Sequence, residues 1–364
     1  MMILPFLLPA LPPNPEVLES ADLLYNQGSV QEALRVLSEH DWNGNHRAAL
    51  LLEACSDTTW LVQGSTPFPD EGTIEFTLLL PGQTPGERVW LLLPFPASTE
   101  WQDASDAAFS VEGMDSVLIL TPEESGGRTQ QLFVEGVIVD SLRVTWSVKY
   151  CLKPFGHDLL GPGRDGAMVP PLEANHESAV YLNSCGWVSW TDALYAETRS
   201  VTVGVPNPLD LLDKALEYSS MFSQDAWPVP LPRTHFENPS LMALRGLRRG
   251  SFNASCLLAV MLRTSGIPAR VVPGFFRDGP FFVCLAYILP YGWVPADSRS
   301  GVVGEMPSGF ISTSFCITDP SSRDFETLEN GIAGVLPRGE VLRGGIRVAI
   351  PVKDLSRGFS WRVL

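Results

Sequence analysis

"RRGSFNASCLLAVMLRTSGIPARVV", residues 248–272, is the stretch whose reading decides the fold. From Ser251 to Ser265 the apolar side chains Leu257, Val260, Met261 and Leu262 are available for burial along one helix. Gly266 can end that helix in a left-handed conformation, and Pro268 prevents its continuation. Arg270 then opens a strand. Serine is among the best N-cap residues, so Ser251 is expected to cap the helix it begins.

Outward from this block the second half of the chain mixes element types. "YLNSCGWVSW" reads as extended, and "NPLDLLDKALEYSSMF" reads as a helix capped by Asn207 with Pro208 in its first turn. "NPSLMALRGLRR" is a further helix ending at Gly250. After the central helix come strand-like "ARVVPGFF", "FFVCLAYIL" and "GWVPAD". Helices followed by antiparallel-looking strands predict an α+β unit.

The order "LRGLRRG", "LRTSGIPARVV", a strand and "ILPYGWVPADSRS" resembles the bacterial type of the transglutaminase-like superfamily, which shares a papain-like core. The resemblance runs from about residue 180 to 320 and implies a Cys-His-Asp triad. Its pattern places the nucleophile at Ser251, the histidine at Phe282, the tryptophan after it at Cys284 and the glutamate at Ala286. Asp297 alone keeps the expected residue type.

These replacements remove the chemistry that the resemblance implies. Cysteine catalysis needs a thiolate at a helix N-terminus beside an imidazole that a carboxylate orients. A serine hydroxyl has no comparable reactivity without a base, and phenylalanine cannot accept a proton. Slippage of the strand register cannot supply one, because no histidine follows His235. Ser251, Phe282 and Asp297 are thus vestigial triad positions of a pseudoenzyme. The rival reading is an active hydrolase, protease or amide transferase that uses Ser251 or Cys284, with His235 as base. Phe282, Trp187, Trp190, Trp227 and Trp293 are candidates to line the former cleft as an apolar binding groove. Cys256, five residues after Ser251, turns away from the helix start and toward the core.

Before this unit the sequence changes character. An apolar segment, 1–13, could be a processed signal, a peripheral anchor or a segment docked on a partner. Residues 14–56 read as a helical hairpin resembling half of a tetratricopeptide repeat, and one copy cannot build a solenoid. Residues 57–152 hold short β-rich runs such as "GTIEFTLLL" and "LRVTWSVKY", which predict a β-sandwich. Residues 153–179 form a Pro/Gly-rich linker or surface crossing, and 321–364 a C-terminal extension.

Composition limits the partners. The 364 residues carry 41 acidic against 25 basic side chains, a formal charge of -16. That balance disfavours nucleic acid and favours basic patches on a protein or peptide partner. Neither the six cysteines nor the five histidines show metal-ligand spacing, and no phosphate-binding loop occurs, so no metal or cofactor is expected. The expectation is a non-catalytic binding or scaffold protein. It is exported, periplasmic or membrane-peripheral ahead of cytoplasmic, with the N-terminal segment as its route to a membrane assembly.

Overall fold

Alternating apolar and polar side chains over residues 71–152 give four antiparallel strands whose buried faces meet in one core. The protein is described here from a computed structural model that covers residues 15–26, 33, 35–37, 40, 67–96, 98–124, 131–159, 164–170, 178–184, 187–223, 238–244, 250–277, 279–314, 335, 337–350, 354–355 and 358–364. Helix α1 spans Pro15–Asn26, the first limb of the expected hairpin. The helical run expected around Ala48–Leu52 lies outside the described residues, as does segment 1–13.

Strands β1 (Glu71–Leu80), β2 (Arg88–Leu93), β3 (Gln102–Leu120) and β4 (Leu132–Leu152) are organised by β4. One edge of β4 pairs with β3, from Gln102↔Leu152 to Leu120↔Phe133. The other takes β1 along its later half and β2 along its earlier half. Ile74, Phe76, Leu78 and Leu80 therefore stand opposite Val148, Trp146, Val144 and Leu142, all of them buried.

The second unit follows with helices α2 (Asp192–Thr202), α3 (Pro208–Ser220), α4 (Pro239–Leu244) and α5 (Ser251–Thr264). Asn207 caps α3 as its sequence predicts, its Oδ1 accepting from the amides of Leu209 and Asp210. All fourteen residues of α5 are buried. Its stop is a Schellman turn: Gly266 lies at φ +88°, its amide donates to Arg263 O, and the Ile267 amide donates to Leu262 O. Arg263 secures the turn, with Nε on Ala269 O at 2.8 Å and a terminal nitrogen on Asn183 O at 2.6 Å.

Beyond the turn, β5 (Ala269–Phe276), β6 (Gly279–Ile288), β7 (Gly292–Asp297), β8 (Val302–Val303) and β9 (Ile311–Ser312) form an antiparallel sheet ordered β8-β7-β6-β5-β9. Residues 153–159 and 164–170 lie against this unit as a strap. The Met306 amide donates to Phe155 O, the His157 amide donates to Gly304 O, and Met168 and Leu289 exchange backbone bonds.

Residues 321–364 do more than extend the chain. Strand β10 (Arg338–Arg343) pairs with β2 and with β11 (Ile346–Ala349), while β12 (Phe359–Val363) pairs with β1. The strands expected as a sandwich over 57–152 are hydrogen-bonded with them into a single seven-stranded sheet. Phe359 completes an aromatic stack, 5.9 Å from Phe76, which lies 5.2 Å from Trp146. The two sheets meet where Phe275 contacts Phe76 and Trp361. Nearby, Gln102 bonds Ser312 as a neighbouring strand would, its Nε2 donating to Ser312 O and its Oε1 accepting from Ser312 N.

Trp146→Ala, which empties the centre of that stack, should lower the free energy of unfolding by about 3–5 kcal/mol in a denaturant titration. Ile346→Ala, on an exposed edge, should change it by less than about 0.5 kcal/mol. Burial pushes the Tyr150 phenol up to about 12 from its ordinary 10, and its oxygen has no hydrogen-bond partner among the described residues. The unfolded chain then loses this proton first, so stability should fall as pH rises from about 10 to 12. Tyr150→Phe should reduce that fall, without loss of stability at pH 7, when unfolding is followed across this range.

Candidate functional site

Phe252 and Ser255 of α5 meet Phe282 of β6, and Ser255 also meets Ser298 just after β7, so adjoining elements carry Ser251, Phe282 and Asp297. Ser255, one turn after Ser251, donates its hydroxyl to Phe282 O at 3.0 Å and lies 3.3 Å from the Ser298 hydroxyl, next to Asp297. Ser223, just after α3, donates to Ser298 O at 2.6 Å. Buried hydroxyls thus fasten α3, α5, β6 and β7 together beneath the site. Sequence reasoning passed over Ser255, although its i+4 spacing from Ser251 puts both on one helix face.

The residue at the helix cap is Gly250, and Ser251 is the first helical residue. This corrects the capping role expected for the serine. Gly250 has φ +139°, a region that side-chain-bearing residues avoid. Its amide donates to Phe222 O and its carbonyl accepts from the Ala254 amide. That backbone path reserves the cap for glycine and moves Ser251 into the first turn, where it is 1% exposed.

Phe282 is fully buried, its ring 4.9 Å from Phe252, which in turn packs on Trp187 at 6.0 Å. Rings therefore occupy the space beside the nucleophile position. Asp297 is also buried, and both carboxylate oxygens are engaged within its own turn. Oδ1 accepts from the Arg299 amide at 2.9 Å and Oδ2 from the Ser300 hydroxyl at 2.7 Å. The Arg299 guanidinium lies over the Phe281 ring.

The aromatic residues considered as one groove wall are separated by the pleat of β6. Phe282, Cys284 and Ala286 belong to the core that includes α5, whereas Phe281, Val283 and Leu285 join Trp293 in a second cluster. Trp293 packs there against Tyr181 and Tyr287, with Arg270 4.2 Å from its ring centroid. Trp187 and Trp190 are half-buried against the first core. Trp227 and His235 lie outside the described residues.

The described cysteines lack the setting of a nucleophile. Cys256 and Cys284 are completely buried. Cys151 is half-buried, and its thiol is pushed up by burial first and then by the charges of Glu71 and Asp103. A nucleophilic thiol needs the opposite shift. His157 sits on the strap, its Nε2 3.0 Å from Trp293 O and its ring against Phe155 and Tyr291. Among the described residues no helix is long and apolar enough to cross a membrane.

No protein-family model and no curated protein sequence matches the chain. Solved structures do. A protein of Cytophaga hutchinsonii, provisionally named a cysteine protease, aligns with a TM-score of 0.53 at 11% identity, covering 81% of this chain and 91% of its own. The periplasmic domain of TgpA from Pseudomonas aeruginosa aligns with a TM-score of 0.33 at 11% identity, covering 66% of this chain and 86% of that one. The likeness to the Cytophaga structure is one of fold and spans most of both chains.

Proposed function

We propose that this transglutaminase-like chain is non-catalytic and serves as a protein-binding or structural subunit. One observation carries the reading: Phe282 stands at the position of the imidazole, fully buried and packed on Phe252. Phenylalanine cannot take a proton from a hydroxyl at Ser251, and both carboxylate oxygens of Asp297 are engaged within its own turn. Burial of all three positions also supports a filled cleft, so contacts with partners are assigned to other surfaces. The charge of -16 suits partners with basic patches. Export or peripheral membrane attachment through segment 1–13 remains part of the proposal.

An electrophilic peptide and a fluorophosphonate applied at neutral pH should give no site-specific adduct at Cys284 or Ser251 by mass spectrometry. Cys284→Ser and Ser251→Ala are the controls. Stoichiometric labelling at either residue would establish the rival hydrolase or transferase reading and sink this one. Phe282→Ala should destabilise the fold by about 3–5 kcal/mol in chemical denaturation, as expected for a core ring. A loss below about 1 kcal/mol would show an open groove instead.

A further inference from the structure

The geometry points to a second site, a groove at the junction of the two sheets that takes a proline-rich peptide segment with an adjacent arginine or lysine. It lies away from the triad positions and encloses about 470 Å³. That volume is within the range of about 300–1,000 Å³ typical of ligand sites, and junctions between units are a preferred location. Its walls come from the end of β4 and the strap on one side and from residues 305–310 on the other.

The apolar part of the groove is fixed before any ligand arrives. The Trp101 indole nitrogen donates to the Ser312 hydroxyl at 2.9 Å, and its ring meets Phe155 edge to face at 5.6 Å. Phe155 is tied by its carbonyl to the Met306 amide, and the Lys153 amide donates to Trp101 O. Opposite them, Gly309 accepts from the Phe68 amide at φ +72°, so close to Pro67 that a side chain there would collide. Pro154 and Pro307 add two rigid, flat rings to the lining. Trp101 and Phe310 are buried and form the floor, while Phe155, Pro154 and Pro307 stay partly exposed above them as a surface on which the rings of a preformed polyproline helix can pack at small entropic cost.

Charge selects the flanking residue. Asp70 and Glu305 are exposed on the rim, while Lys153, the basic residue of the lining, has its ammonium 2.5 Å from Asp103. The rim therefore keeps a negative excess, in line with the overall charge of the chain. A cation beside the proline meets these carboxylates, and an anion there is repelled.

This inference holds whether or not Ser251 reacts, so a labelling result that ended the non-catalytic reading would leave it standing. The test uses the full-length chain and a fluorescein-labelled Pro-Pro-Arg-Pro-Pro peptide, titrated by fluorescence anisotropy. Alanine-for-proline and glutamate-for-arginine peptides run in parallel. Saturable binding is expected below about 1 mM, with both control peptides markedly weaker. Phe155→Ala should weaken binding about tenfold. The exposed pair Asp70→Asn and Glu305→Gln should weaken it about threefold and reduce its salt dependence. If circular dichroism shows that Phe155→Ala does not fold, the charge pair and the peptide contrast decide. Absence of saturation, equal binding of either control peptide, or unchanged binding by the folded variants would overturn the inference.

Discussion

Complete burial of α5 is the constraint around which the second unit is arranged. A helix with no exposed face must be covered on every side, and α2, α3, α4 and the five-stranded sheet supply that cover. Its polar groups must then find partners inside the protein. Ser255 reaches the backbone of β6, Arg263 binds the turn that follows, and the Gly250 amide meets the end of α3. Both ends of α5 are thus held by buried hydrogen bonds to their neighbours.

Burial sets the same demand beside α5. A buried carboxylate without partners is costly. Asp297 avoids that cost because the Arg299 amide and Ser300 hydroxyl satisfy it. Phenylalanine at position 282 has no polar group to satisfy and adds contacts with Phe252. Both residues are therefore compatible with a stable core.

Features governed by neighbours in sequence were legible without coordinates. The Asn207 cap, the Gly266 stop and the strands of "ARVVPGFF" and "GWVPAD" follow from a few adjacent residues. Ser251 was misplaced by one position because the conformation of Gly250 depends on where Phe222 holds its amide. The separation of Trp293 from Phe282 required the pleat register of β6. Least legible was the destination of residues 338–363, since strand pairing across more than 200 residues leaves no local trace. The charge and aromatic content of the chain suggested contact surfaces, but only the fold shows Trp101 and Phe155 facing residues 305–310.

The pairing of β12 with β1 and of β10 with β2 also bears on the order in which the molecule can be assembled during synthesis. Strands β1 and β2 emerge long before their partners, and each keeps an open edge until β12 and β10 have been made. The aromatic surface of Phe76 and Trp146 likewise waits for Phe359. The five-stranded sheet, whose strand-to-strand pairings are internal to residues 269–312, can close first and stand as a platform for the other sheet. Folding of the nascent chain should therefore begin within the second sheet, with the first exposed to capture by other strands until β10 and β12 have been made.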